Sequence, residues 1–190
     1  MLAAADTELL YPLTHFCRSE GRSLAQFQTL EPAEMPQVAR ELLVHTGDMT
    51  SRLEQHHGSE TVLRVLNREH TAETYRREVL LCLATDGSPV EYGAIEIDLR
   101  AFAGELRELI VEAKLPLGGL LNRFGVSYHS EPRAFLKLAP DDGLNALFQV
   151  DGAREFYGRS NVLLGDSNQV LAQIVEVLRP AENTRSYAHA

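Results

Sequence analysis

At 190 residues the chain has the length of one ordinary domain, enough for one sizeable core. An apolar fraction of 44% and a charged fraction of 24% are those of an average globular protein and exclude extended disorder. The net charge of -9 argues against a nucleic-acid partner, because phosphate binding needs a basic stripe; a small anion can still bind in a locally positive pocket.

Cys17 and Cys82 cannot make a disulfide framework, and neither belongs to a CxxC or zinc pattern. The start lacks the basic region and long apolar stretch of a signal peptide, and no apolar run approaches the roughly 20 residues that span a bilayer. The expectation is a soluble cytoplasmic chain with no membrane partner, forming one domain over 1–190 with 1–30 and 181–190 peripheral.

Residues 1–30 show no clear periodicity and read as irregular. Met35, Val38, Ala39, Leu42 and Leu43 repeat at helical spacing, so 33–45 is predicted as an amphipathic helix ended by Gly47. Ser51-Arg52-Leu53-Glu54 has capping-box spacing and predicts a second short helix. Strands are predicted at 61–66 and 75–84, the second closed by Asp86-Gly87, a hairpin signal that pairs it with 90–99. One apolar stripe then runs through a helix at 99–113, and Leu115-Pro116-Leu117-Gly118 opens another short one. Strands at 133–138 and 160–164 follow, then a turn at 165–168 and a closing strand at 169–178. The stretch 139–156 finds no place, and the tail after Pro180 reads as polar and frayed. Helices grouped apart from hairpins predict an α+β fold: a single antiparallel sheet with flanking helices and helix-turn flaps.

Polar residues that interrupt apolar faces are where chemistry is sought. In 75–83 the period of two places Arg77 with Val79, Leu81 and Leu83. In the closing strand it places Glu176 with Ala172, Ile174 and Leu178. Burying a lone charge is costly, so each side chain needs a way out. It can emerge at a sheet edge, pair with the other as a salt bridge, or hold a ligand, arginine being well shaped to grip a carboxylate.

Five segments, in order, resemble the chorismate lyase family. They are the apolar run 42–48 leading into Met49-Thr50, the strand Tyr75-Arg76-Arg77-Glu78-Val79, the Pro116-Leu117-Gly118 turn, the Gly158-Arg159 step and the closing Val175-Glu176-Val177 strand. The likeness spans roughly 38–180, and Val90-Glu91-Tyr92-Gly93 is similar to a branch outside the ubiquinone-pathway enzymes. It implies a chorismate lyase-like fold and a cofactor-independent elimination of pyruvate from chorismate, leaving 4-hydroxybenzoate. Under it, Arg77 and Glu176 are the catalytic pair, Arg77 binding the ring carboxylate and Glu176 the ring hydroxyl. Met49, Thr50, Leu117 and Gly118 form the substrate-binding flaps. The partner is a small anionic cyclic or aromatic carboxylate, and the chain a monomer or weak homodimer.

The competing expectation is a non-catalytic module of the same fold that binds or senses a small aromatic acid. The same fold serves as the effector domain of some transcription regulators, although residues 1–30 are too short and too poorly helical for a winged helix. His56-His57 are adjacent, so their rings diverge and no metal site is expected. Ser127, Tyr128 and His129 lack an orienting acid and read as surface.

Overall fold

The described residues of the computed structural model, 4–152 and 154–180, form seven strands in one antiparallel sheet. The strands are β1 (Phe27–Leu30), β2 (Thr61–His70), β3 (Thr74–Leu83), β4 (Pro89–Asp98), β5 (His129–Leu138), β6 (Phe156–Leu164) and β7 (Val170–Leu178). They lie in the order β1-β5-β6-β7-β4-β3-β2, so the four longest-buried strands, β6, β7, β4 and β3, are central. Seven helices flank them: α1 (Ala4–Leu9), α2 (Leu13–Ser19), α3 (Gln37–Leu43), α4 (Met49–His57), α5 (Gly104–Glu112), α6 (Leu117–Arg123) and α7 (Asp142–Phe148). The expected α+β class is what the chain adopts.

Both faces of the sheet are covered. On one, Leu13, Phe16 and Cys17 of α2 and Leu144 and Phe148 of α7 pack on Leu80, Tyr92, Val175 and Val177. On the other, α5 and α6 bury Leu106, Ile110 and Leu120 over Ile95 and Ile97, while α3 and α4 bury Leu43, Met49 and Leu53 over Leu81 and Leu178. Antiparallel sheets commonly leave one face to water and alternate apolar with polar. Here two helical layers exclude water from both, which is why the central strands read as near-continuous apolar runs.

Several elements differ from expectation for local reasons. Residues 1–30 hold α1, α2 and β1; each helix is too short, with Pro12 between them, for periodicity to register. The stretch 139–156 contains α7, started by Asp141, whose Oδ1 accepts from the Leu144 N–H at 2.9 Å. Asp48 likewise caps α4 by accepting from the Ser51 N–H at 2.7 Å, so that helix begins at Met49, before the predicted Ser51. The predicted 99–113 helix is a 3-10 turn at Leu99–Ala101 and then α5, separated by extended backbone at Phe102 and Ala103. The tail after Pro180 lies outside the described residues. No described helix is long and apolar enough to cross a membrane.

One close approach sets the register that matters. A Cβ built on Gly158 would stand 2.3 Å from the Glu176 carbonyl oxygen, so β6 and β7 meet there only because position 158 has no side chain. The next pair along, Arg159 and Glu176, then face each other across the strands.

Candidate functional site

The face that carries α3 to α6 is not one apolar surface but two clusters, divided by polar side chains rising from the central strands. Arg77 comes from β3, Glu91 from β4, Arg159 and Asn161 from β6 and Glu176 from β7. All five are buried, at 2%, 4%, 1%, 2% and 5% exposure respectively. They line a cavity of about 80 Å³ whose walls include Val79, Ile95, Leu163 and Ile174. Gly93 sits between them, opposite Glu176 on one side and Val79 on the other. A Cβ there would lie 3.4 Å from Glu91 Oε1 and from Val79 Cγ2, so a side chain at this position would fill the space the five groups share.

The roof is made of two helix starts. Met49 and Thr50 open α4, Leu117 and Gly118 open α6, and all four line the same cavity. A Cβ on Gly118 would stand 2.8 Å from Asp48 Cβ and 3.3 Å from the Tyr128 hydroxyl, so glycine there lets the two flaps touch. Asp48, after burial, helps push Tyr128 up to about 12. The six predicted site residues, Arg77, Glu176, Met49, Thr50, Leu117 and Gly118, are thus brought to one place.

Their bonding differs from what the sequence implies. Glu176 does not pair with Arg77. Its Oε2 accepts from Arg159 Nε, and Arg159 Nη1 also donates to the Leu43 carbonyl at 2.9 Å and the His45 carbonyl at 3.2 Å. Arg159 is therefore a satisfied structural cation. His45 beside it is held neutral, its pKa lowered to about 4 by burial and then by Arg159 and Arg52.

Arg77 is the opposite case. Its Nη2 donates to the Leu115 carbonyl at 3.3 Å, while Nε and Nη1 are buried with no hydrogen-bond partner among the described residues. Burial pulls its pKa down, and Tyr75 opposes that electrostatically from a ring centroid 5.9 Å away without making a well-formed hydrogen bond. Two more buried polar atoms in this cavity are unpartnered: Glu91 Oε2 and Asn161 Nδ2, the Asn161 oxygen being held by the Ser130 hydroxyl at 2.9 Å. Native proteins leave few such atoms, so four at one cavity, on three residues, mark a place where a ligand completes the bonding.

Glu91 is shifted towards its protonated form. Burial pushes its pKa well up, Glu176 pushes further, and Arg159 offsets only part. A folded pKa raised above the ordinary value near 4.5 gives stability that is complete below that value and is lost as pH rises through the folded one. Replacing Glu91 by Gln keeps the neutral shape and removes the titration. In urea denaturation from about pH 5 upward, the wild type is expected to lose stability relative to Glu91→Gln; parallel profiles would show that Glu91 ionises freely in the fold.

Arg159, Glu91 and Asn161 were not assigned roles from the sequence. The alternation that exposed Arg77 also runs through Glu91, Gly93 and Ile95, so the same reasoning would have found Glu91. Ser127 and His129 are exposed as expected, whereas Tyr128 lines the cavity.

No protein-family model matches the chain, and a search of curated proteins finds no match. Solved structures do match by shape. PhnF from Mycobacterium smegmatis is 16% identical with a TM-score of 0.56, over 72% of this chain and 65% of that one, so the chain spans just under two thirds of PhnF's length. The effector domain of PhnF alone gives 16% identity and a TM-score of 0.53, over 70% of this chain and 88% of the domain. A gene product of Staphylococcus aureus subsp. aureus N315 gives 11% and 0.54, over 72% and 90%. These likenesses show the fold, a chorismate lyase-like one shared with the effector domain of PhnF.

That finding corrects the lyase reading. The structure matched over 88% of its length is the PhnF effector domain, so the expected enzyme, with chorismate as substrate and pyruvate as product, does not stand. Glu176, cast as a catalytic partner of Arg77, is instead paired through Oε2 with Arg159. The expected exclusion of nucleic acid is withdrawn too, because the net charge of one domain says nothing of a DNA-binding domain elsewhere in a polypeptide.

Proposed function

We propose that this chain is a regulatory ligand-binding domain that captures a small organic carboxylate on Arg77. One observation carries the reading: a guanidinium 2% exposed, with two nitrogens unpartnered, facing a cavity with apolar walls. An unpaired buried cation is unfavourable, and an arriving carboxylate supplies both the missing charge and two parallel hydrogen bonds. With Arg159 paired to Glu176 and Glu91 shifted towards its neutral form, Arg77 is left as the cation on the cavity floor without a carboxylate partner among the described residues. A compact ring is larger than the present cavity of about 80 Å³ and lies against Val79, Met49 and Leu117 once the flaps part. Glu91 and the free Asn161 amide then serve a ligand hydroxyl, the role first given to Glu176. The α4 and α6 flaps already touch, so a ligand held by Met49 and Leu117 parts them, and that opening is the regulatory signal. The whole of 1–190 acts as this one ligand-binding unit.

The test is thermal unfolding of the wild type with benzoate, 4-hydroxybenzoate and cyclohexanecarboxylate, each beside its methyl ester. At a ligand concentration about 100 times Kd, binding adds about 2.7 kcal/mol and raises Tm by roughly 5–10 °C for a chain of this size. The acids are expected to give that rise and the esters none. Stabilisation by no acid, or equally by acid and ester, would overturn the reading.

A further inference from the structure

The opposite face of the sheet holds a second and larger cavity, about 510 Å³, within the usual range for small-molecule sites. It lies between the sheet, α2, the start of α7 and the loop at 20–26. Glu78 is its floor. Arg77 and Glu78 are neighbours on β3, so the period of two sends one into each cavity and the two spaces share a strand but no volume. The walls are largely aliphatic: Leu13, Leu24, Leu66, Leu138, Leu144 and Leu147.

The charge is the reverse of that around Arg77. Glu20, Glu78 and Asp141 line the cavity against a single cation, Arg22. Glu78 is 1% exposed and accepts from the Tyr92 hydroxyl, from Asn67 Nδ2 at 2.8 Å, and from Arg22 Nη2 at 2.7 and 2.8 Å. Tyr92 and Asn67 are fixed in the sheet. Arg22 is different: it projects from a surface loop, its side chain is 39% exposed, and it also bonds Glu20. Arg22, exposed and holding a second carboxylate, can leave Glu78 only when another cation takes its place, because Glu78, once buried, cannot be left without one.

We propose that this cavity binds an organic cation, an ammonium group on a compact apolar body, whose nitrogen replaces the Arg22 guanidinium on Glu78 while Arg22 stays on Glu20. The leucines take the body, and Tyr92 and Asn67 hold the carboxylate aimed at the charge. Anions are turned away, because the lining's one cation is already shared by two carboxylates.

Calorimetric titration of the wild type with 2-phenylethylamine and, separately, its neutral counterpart 2-phenylethanol tests this. A charged hydrogen-bonded contact predicts that the amine binds about ten- to a hundredfold more tightly. Methyl NMR is expected to show Leu24 and Leu144 shifting and Leu117 unmoved. Glu78→Gln should bring the amine down to the alcohol's affinity, and Leu147→Trp, which fills the cavity, should remove both. Equal affinities for amine and alcohol in the wild type, no binding of either, or shifts confined to Leu117 would each overturn the proposal, whether or not the variants fold.

Discussion

Arg77→Met is expected to make the ligand-free protein more stable while abolishing its affinity for carboxylates. The two effects have one cause. In the absence of ligand the Arg77 guanidinium is buried with Nε and Nη1 unpartnered, and its one hydrogen bond, to the Leu115 carbonyl, is long at 3.3 Å. Methionine keeps most of the length and discards the charge. Replacing poorly compensated buried charge with packed apolar atoms is neutral or stabilising by about 1–4 kcal/mol. Binding moves the other way, since the lost contacts are charge-assisted and bidentate, and affinity should fall by at least about a hundredfold. Urea denaturation without ligand and titration with the most stabilising acid measure the two halves separately. A variant that is less stable and binds normally would mean that Arg77 is a structural residue whose neighbours rearrange to satisfy it.

Arg77 and Glu176 were legible because a strand's period is two: a charged residue in step with valines and leucines is visible without a structure. Met49, Thr50, Leu117 and Gly118 were placed through family resemblance, and the structure gathers all four over the same floor. What periodicity cannot supply is which strands are neighbours. Arg159 faces Glu176 only because β6 and β7 are adjacent and Gly158 lets them approach, and neither fact is written in the alternation of either strand. The sequence therefore offered Arg77 as the partner for Glu176, where the fold supplies Arg159. The same limit explains the lyase reading. A buried arginine beneath two flaps suits an enzyme and a sensor equally, so these residues announce the pocket and not the event within it. The helices missed in 1–30 and 139–156 failed for a simpler reason, each being too short for a periodic signal to rise above chance.

Glu176→Ala is expected to cost about 3–5 kcal/mol, because it strands Arg159, 1% exposed, with only backbone carbonyls to face. The double change Arg159→Met with Glu176→Leu removes both charges and should recover most of that loss. The more telling result is the pH dependence of the single variant. In the wild type, burial first and Glu176 second shift Glu91 towards its protonated form, with Arg159 pulling against them. Deleting Glu176 removes one of those pressures and frees Arg159 to act fully on Glu91, whose folded pKa then falls towards or below its unfolded value. A depressed carboxyl pKa gives stability that is present above the unfolded value and lost as pH falls. The variant should therefore gain stability relative to the wild type as pH rises, with Glu91 taking over the salt bridge. Adding Glu91→Gln to Glu176→Ala should erase that gain. Denaturation midpoints for the three proteins across pH decide it: if the single and double variants follow the same profile, Glu91 does not reach Arg159, and the two carboxylates do not share one cation.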